Sequence, residues 1–273
     1  MSRLLVICGP TATGKTAIAA MVAKKFNGEL VSADSRQVYR GMDLVTGKDR
    51  PDVPIWLYDV VSPDEEFSVS HWVKLARGAI DDIQKRNKLP IVVGGTGLYI
   101  HALLHPFETI NIPPDTALRA RLQTMSLVEL QAMTTRGDMN ESDWNNPRRL
   151  VRKIEIAGSK KWRTKQENTY DAFVIGLTAP LVMLDKRIDE RFKKRVRQGM
   201  KKEIKILFKK YGKELPSMSA IGVNEHAYAR RQMTWFKKQK GIRWFDVTDP
   251  EYMNRMAAAV AAWYTTGKYV PED

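Results

Sequence analysis

The feature that most constrains the fold is a phosphate-loop motif close to the N-terminus. Residues 9–16 read GPTATGKT, which matches the pattern G-x-x-x-x-G-K-[ST]. The apolar run LLVIC precedes the motif and the helix-forming run AIAAMVAKKF follows it, so the segment predicts a strand, a loop and a helix. In such a loop the backbone N–H groups face a phosphate chain, and the lysine reaches its terminal phosphates. The predicted phosphate-binding residues are Gly9, Pro10, Thr11, Ala12, Thr13, Gly14, Lys15 and Thr16, and the hydroxyl of Thr16 is the predicted Mg²⁺ ligand.

Strand-like and helix-like segments alternate after the loop. Four more segments are typical of buried strands, at residues 29–34, 55–61, 90–96 and 171–180. Between the second and third of these, apolar residues recur at helical spacing, namely Trp72, Leu75, Ala76, Ala79, Ile80 and Ile83. Leu184, Ile188, Phe192, Val196 and Met200 follow at steps of four and predict one long basic helix. The alternation predicts an α/β fold, a P-loop NTPase-like parallel sheet with flanking helices.

The middle of the chain has a different character. Residues 108–168 are polar, helix-forming and punctuated by proline, which predicts an inserted helical subdomain. The expected organisation is therefore a first part of the core at 1–107, the helical insert at 108–168, and the completion of the core at 169–273.

Two polar residues mark the edge of the sheet where ligands bind. Asp34 stands at the carboxyl end of the strand predicted at 29–34, and Thr96 lies in the glycine turn that ends the strand predicted at 90–96. Asp34 is either a functional carboxylate or a residue that caps the following turn. An ATPase normally has an acid at a strand end to hold its metal, but Asp59 lies in the middle of its run and suits a buried turn equally well.

Composition limits the partners and the compartment. The formal net charge of +14 favours a polyanionic partner, nucleic acid before membrane. Cys8 is the single cysteine and lies in an apolar run, which fits a reducing, cytoplasmic compartment. We expect neither a signal peptide nor a membrane span, because the apolar runs are too short.

Five blocks, in this order, resemble the tRNA dimethylallyltransferase family: GPTATGKT, VSADSRQVYRGMD, VVGGTGLY, NNPRRLVRKIEI and RRQMTWF. The resemblance runs from about residue 4 to about residue 246. It implies transfer of a dimethylallyl group from dimethylallyl diphosphate to the N6 amine of adenosine 37, beside the tRNA anticodon. The phosphate loop would then hold a diphosphate leaving group in place of a nucleotide, with Mg²⁺ as cofactor.

The same resemblance implies roles for individual residues. Asp34 would be the general base, Thr96 would lie beside the reacting centre, and Arg191 would steady the diphosphate. The residues implied to contact tRNA are Asp34, Ser35, Arg36, Gln37, Thr96, Arg119, Arg148, Arg149, Leu150, Val151 and Arg152. The expected partner is the anticodon stem-loop, and the expected assembly is a monomer.

The block NNPRRLVRK also carries a physical argument of its own. Asn146 suits a helix N-cap and Pro147 the first helical position, which places Arg148, Arg149 and Arg152 in the first turns. Cations at that end of a helix are opposed by the helix dipole, and RNA phosphates bound there would offset this repulsion. The placement therefore favours an RNA-binding helix start over an ordinary basic helix.

Three other functions compete with this interpretation. A prenyltransferase of free adenine nucleotides would share the loop and Asp34 but would need neither the basic charge nor the insert. A small-molecule kinase would turn over ATP and need a metal-binding acid. An inert RNA-binding protein would keep the basic surface and lack turnover.

Overall fold

The computed structural model describes residues 2–159, 170–221 and 223–266. The chain divides into two compact units, which we call the core unit (Met1–His105 and Asn168–Asp273) and the helical unit (Pro106–Glu167). The insert was predicted at residues 108–168, and its C-terminal end lies outside the described residues.

The core unit is built on one parallel sheet. Its strands are β1 (Ser2–Cys8), β2 (Gly28–Ser32), β3 (Ile55–Trp56), β4 (Leu89–Gly94), β5 (Tyr170–Thr178) and β6 (Ile242–Asp246). They lie in the order β3–β2–β4–β1–β5–β6, and every pairing is parallel. The predicted α/β class and parallel sheet are therefore confirmed.

Helices flank this sheet. In the core unit they are α1 (Lys15–Lys25), α2 (Asp43–Thr46), α3 (Val69–Lys85), α4 (Gly97–Leu104), α9 (Leu181–Arg197), α10 (Met200–Tyr211), a 3₁₀ turn (Pro216–Ala220), α11 (Glu225–Lys237) and α12 (Tyr252–Thr266). In the helical unit they are α5 (Thr116–Leu122), α6 (Leu127–Ala132), α7 (Glu141–Trp144) and α8 (Pro147–Gly158).

The central strands are buried because they are apolar along their whole length. Residues 4–8 of β1 have no exposed surface, and β4 is buried throughout. A run that is apolar at every position suits a strand covered on both faces. Apolar side chains of α1 and α12, including Ile18, Val22 and Val260, pack in the same core as these strands.

Two predictions about the core unit need correction. The strand expected at 55–61 stops after Trp56, because Leu57 and Asp59 adopt positive φ angles of 68° and 58°, which strands do not contain. Asp59 is a turn residue that accepts hydrogen bonds from Lys48 and Arg50. Leu75, expected on the buried face of α3, is 41% exposed.

The long basic helix is also different from the one expected. Gly199 has a φ of +105° and ends α9 before Met200, which belongs to α10. Phe192 is exposed, while Arg195 of the same helix is buried. The strand β6 was missed altogether, since its sequence IRWFD lacks a continuous apolar run.

The helical unit has a small core of its own. Leu122, Leu130 and Leu150 are fully buried, and Trp144 and Ile154 pack against them. The start of α8 is as predicted: the Asn146 side chain accepts a hydrogen bond from the backbone N–H of Arg149, and Pro147 follows it.

Candidate active site

A cavity of ≈320 Å³ lies at the carboxyl end of the sheet of the core unit. In open parallel sheets this edge is where ligands bind. The strands β1, β4 and β2 end at the same level of the sheet: Cys8 of β1 pairs with Gly94 of β4, and Ser32 of β2 pairs with Val93 of β4. The segments that follow these three strands therefore leave the sheet side by side. The cavity is lined by Thr11, Ala12, Gly14, Lys15, Thr16, Asp34, Arg36, Gln37, Thr46, Asp49, Tyr58, Val93, Gly94, Gly95, Arg187, Arg191, Glu225 and Gln232.

The phosphate loop joins β1 to α1 in a conformation that depends on glycine. Gly9 has a φ of +140°, and a Cβ atom there would lie 2.3 Å from the carbonyl oxygen of Leu177. Gly14 has a φ of +81° at the start of α1. The hydroxyl of Thr13 donates to the carbonyl oxygen of Pro10 at 2.9 Å and closes the loop on itself. The loop thus presents the N-terminus of a helix, which attracts anions, to the cavity.

Lys15 lies in this loop and is electrostatically unusual. Its Nζ atom donates to the carbonyl oxygen of Pro10 at 2.6 Å. Burial lowers the pKa of Lys15 from 10.5 to about 8; the negative charge of Asp34 opposes this shift, and the positive charge of Arg191 adds to it. A desolvated ammonium group gains most from an anionic ligand, because little water remains to compete with that ligand.

Asp34 lies two residues beyond β2 and lines the same cavity. One carboxylate oxygen, Oδ1, accepts the backbone N–H of Arg36 at 2.9 Å, so the capping role considered from the sequence is present. The same oxygen is 3.9 Å from Nε of Arg36. No bond of the other oxygen, Oδ2, to a neighbouring group is seen in the described part of the chain, so both uses of the carboxylate are compatible.

Thr96 lies beside Asp34 because β2 and β4 are neighbours. Its Oγ1 accepts the backbone N–H of Ser35 at 2.9 Å, and its own N–H donates to the carbonyl oxygen of Ala33 at 3.0 Å. Gln37 donates to the carbonyl oxygen of Gly47 at 3.2 Å. The strip 34–37 and Thr96 therefore form one hydrogen-bonded wall of the site.

Two arginines of α9 also line the cavity. Arg191 donates to the carbonyl oxygen of Gly47 and to Asp49, the latter at 3.2 Å. Arg187, one turn earlier, donates to the carbonyl oxygen of Ala12 in the phosphate loop at 3.4 Å. These contacts bring positive charge to the cavity from a helix about 175 residues further along the chain than the loop.

Several lining residues were missed in the sequence, namely Asp49, Tyr58, Glu225 and Gln232. Burial, followed by the charges of Asp34 and Asp49, raises the pKa of Tyr58. Gln232 belongs to the block RRQMTWF, in which Phe236 is buried in the core.

Oxygen ligands suited to Mg²⁺ line the cavity. Thr16 supplies a hydroxyl and Asp49 a carboxylate. Magnesium is commonly held by one or two carboxylates together with substrate phosphates and water, so these residues fit such an ion. Within residues 2–159, 170–221 and 223–266, no group of three or more His, Cys, Asp or Glu side chains is arranged to hold a metal.

The basic residues predicted in the helical unit differ in their surroundings. Arg119 and Arg152 both bond to the buried Glu155, at 2.8 Å and 2.6 Å. Arg149 pairs with Asp143 and remains half exposed, and Arg148 is exposed. Leu150 is fully buried in the core of the unit. Its side chain therefore cannot touch RNA, and the prediction of a tRNA contact there is corrected to a packing role.

None of the described helices combines the length and the apolar character that crossing a bilayer requires.

Comparison with known proteins gives consistent results. Residues 37–227 match the family described as IPP transferase, and residues 2–54 match the one described as isopentenyl transferase. The tRNA dimethylallyltransferases of Bacillus cytotoxicus and Geobacillus thermodenitrificans are 37% and 36% identical to this chain, over 91% of it and 92% of each relative. The crystal structure of the tRNA isopentenylpyrophosphate transferase of Bacillus halodurans superimposes with a TM-score of 0.71 at 31% identity, covering 96% of both chains. A eukaryotic dimethylallyltransferase, described as acting on tRNA, gives a TM-score of 0.83 at 25% identity, over 100% of this chain and 82% of the other.

Proposed function

The chain belongs to the IPP transferase family, and from this premise we propose that it transfers a dimethylallyl group from dimethylallyl diphosphate to the N6 amine of adenosine 37 in tRNA. The observation that carries the proposal is the convergence of the phosphate loop, Asp34 and Arg191 on one cavity. An anion site and a carboxylate are what this transfer requires, because it separates charge.

In the proposed reaction the bond between the allylic carbon and the diphosphate oxygen breaks, and its electron pair leaves with diphosphate. A bond forms between that carbon and N6 of the adenine, and one N6 proton goes to the carboxylate of Asp34. The products are the N6-prenylated tRNA, diphosphate and a proton.

The leaving group is proposed to lie against the phosphate loop. The loop N–H groups and the desolvated Lys15 are fixed before the reaction, and such preorganised donors stabilise developing charge without further reorganisation. Arg187 and Arg191, which line the same cavity, add positive charge. Mg²⁺, which Thr16 and Asp49 would hold, supplies further neutralisation of the diphosphate when bound.

Asp34 is proposed as the general base. The adenine amine is a weak nucleophile that must lose a proton as it attacks, and a positioned carboxylate can accept it. The backbone N–H of Arg36 fixes the orientation of the Asp34 carboxylate, and the Thr96 wall fixes the turn that carries it. Ser35, Arg36 and Gln37 are proposed to contact the target nucleotide from the same strip.

The RNA is proposed to be the anticodon stem-loop, bound in part by exposed arginines at the start of α8. Arg148 and Arg149 are the contacts we retain, whereas Arg119 and Arg152 act mainly through Glu155 inside the helical unit. The net charge of +14 supports a polyanionic substrate.

We extend the proposal to a monomer at work in the cytoplasm. Burial raises the pKa of the Cys8 thiol to about 12, which suits a reduced structural cysteine in a reducing compartment.

Asp34→Asn tests the chemical step. The amide keeps the Oδ1 acceptor for Arg36 and so preserves the turn, but it cannot take a proton. We expect single-turnover prenyl transfer to fall by ~10²–10⁴-fold. Affinity for tRNA should change far less, because the loss falls on the transition state. Asp82→Asn, on the exposed surface of α3, is the matched control and should behave as the wild type.

The same assay separates the competing functions. Wild-type protein is mixed with the allylic diphosphate and either unmodified tRNA or AMP, with and without ATP. Transfer to AMP and not to tRNA would contradict the tRNA assignment. A requirement for ATP hydrolysis would contradict the donor assignment, and turnover by Asp34→Asn at the wild-type rate would remove Asp34 from the mechanism.

A further inference from the structure

Helix α11 contacts the glycine turn after β4 through one face. Tyr228, Gln232 and Trp235 are spaced by four and three residues, so they lie on the same side of the helix. Two of them contact the turn directly: Gln232 bonds to Gly95, and Trp235 packs on Gly97.

Gln232 also reaches the phosphate loop. Its side chain is buried, and its carboxamide oxygen accepts the backbone N–H of Thr11 at 2.9 Å. Its carboxamide nitrogen donates to the carbonyl oxygen of Gly95 at 2.8 Å. One side chain therefore joins the phosphate loop, against which the diphosphate is proposed to lie, to the turn that carries Thr96, beside which the adenine is proposed to lie.

The glycines of the turn leave the room that this contact needs. A Cβ atom on residue 95 would lie 2.1 Å from the amide nitrogen of Gln232, and one on residue 97 would lie 2.1 Å from the ring of Trp235. Tyr228 extends the same contact to the Asp34 strip, since the guanidinium of Arg36 lies 4.4 Å above its ring. Helix α11 thus touches the three segments that follow β1, β2 and β4.

We propose that Gln232 is a positioning residue that sets the distance between the phosphate loop and the Thr96 turn, and hence between the donor and the adenine amine. The inference rests on the proposed function, because only a two-substrate transfer depends on that distance. The residue needs both a hydrogen-bond acceptor and a donor at one position, and a primary carboxamide supplies both. Displacements on the order of 1 Å in such a frame can cost about 10²-fold in rate.

Two substitutions isolate the two hydrogen bonds. Gln232→Met keeps the volume and removes both bonds, and we expect kcat to fall by about 10²-fold at every pH. Gln232→Glu keeps the acceptor but, when ionised, has no donor for the Gly95 carbonyl oxygen. When protonated it offers both groups, and burial raises the pKa of such a carboxyl. Its kcat relative to wild type should therefore recover as the pH is lowered from about 8.5 to about 6.

The controls separate positioning from folding. Gln84 also donates from a partly buried carboxamide to a backbone carbonyl, that of Arg3, but it lies near the end of α3 and does not line the cavity. Gln84→Met and Gln84→Glu should keep wild-type kcat, and Gln84→Glu should show the wild-type pH profile. Thermal melts of all variants fix the assay temperature below every transition. Should Gln232→Met fail to fold, Gly95→Ala displaces the same side chain and is expected to lower kcat in the same way.

The outcomes are distinct. A wild-type protein that transfers no prenyl group overturns the proposed function and this inference with it. An active wild type with Gln232→Met or Gly95→Ala within about threefold in kcat overturns the inference alone. A Gln232→Glu profile parallel to wild type also overturns it, because a purely structural role gives no acid recovery.

Discussion

Replacing Glu155 by glutamine is expected to destabilise the helical unit and to leave the core unit unchanged. The carboxylate is 2% exposed and accepts four hydrogen bonds: two from Arg119, at 2.8 and 3.0 Å, one from Arg152 at 2.6 Å, and one from the backbone N–H of Asp115 at 2.7 Å. Arg152 in turn donates to the carbonyl oxygens of Thr109 and Ile112. Glu155 therefore ties the segment before α5 to α8.

The expected loss is about 3 kcal/mol. Breaking a buried ion pair by removing one partner costs roughly 3–5 kcal/mol. The low end applies here, because the side chains of Arg119 and Arg152 are about 30% exposed and can recover water. The core that remains is small, with Leu122, Leu130 and Leu150 as its fully buried side chains, so it cannot compensate for a loss of this size.

Hydrogen exchange measures the two units separately. A loss of about 3 kcal/mol corresponds to roughly 10²-fold faster exchange of the α8 amides. Amides of β1 and β5 should exchange at the wild-type rate. Glu141→Gln is the matched control, since it removes an exposed carboxylate paired with Arg136 in the same unit, and exposed pairs contribute little.

The pH dependence gives a second readout. Burial alone would raise the pKa of Glu155, but the hydrogen bonds from Arg119 and Arg152 outweigh burial and lower it below 4.5. A carboxylate with a lowered pKa stabilises the folded state above its ordinary pKa and ceases to do so as the pH falls through the folded-state value. The difference in α8 amide exchange between wild type and Glu155→Gln should thus be largest at about pH 7 and should narrow below about pH 4.5. Equal exchange of α8 in the two proteins at neutral pH would refute the role assigned to Glu155.

Two further predictions concern anion binding. The affinity for inorganic diphosphate should fall by up to about tenfold per pH unit above about pH 8, where Lys15 loses its proton. Lys15→Met should remove this pH dependence. Titration calorimetry of both proteins measures the two affinity profiles, and parallel profiles would contradict the prediction. Arg148→Ala should lower the slope of log affinity for tRNA against log salt by about one, whereas Lys24→Ala, at the far end of α1, should leave the slope unchanged. An unchanged slope for Arg148→Ala would make this arginine an ordinary solvated side chain.

Local sequence signals were sufficient for the part of the site that follows the strands. The motif GPTATGKT identifies its own strand, turn and helix, because each has a short-range cause: an apolar run, glycines with positive φ and good helix formers. Asp34 and Thr96 could be placed at one edge because parallel strands end at the same edge. Their adjacency required the strand order, since only the pairing of β2 with β4 brings Thr96 to Ser35.

Side chains brought in by later helices could not be placed this way. The apolar stripe of α9 predicted a helix, but Phe192 of that stripe is exposed and Arg195 is buried. Burial of Arg195 is possible because its guanidinium donates hydrogen bonds to the backbone carbonyls of Leu44 and Val45 and to the carboxylate of Glu225. Periodicity records which residues are apolar, and it carries no information about a charged residue buried by long-range hydrogen bonds. Leu150 shows the opposite error: its position in a basic block suggested an RNA contact, but the helix turns it into the core.

The segments that follow the strands and the later helices α9 and α11 contribute different kinds of residue to the cavity. The groups proposed to meet the reacting atoms, the phosphate loop and Asp34, lie on segments that leave the strands directly, so their backbone is anchored by sheet hydrogen bonds. Each segment by itself is a loop, and the spacing between loops is fixed only by what crosses from one to another. Gln232 of α11 does so, with bonds to the phosphate loop and to Gly95, and Arg187 of α9 adds a bond to the phosphate loop across 175 residues of sequence. Chemical residues were therefore visible in local motifs, whereas the residues that set their spacing required the folded chain.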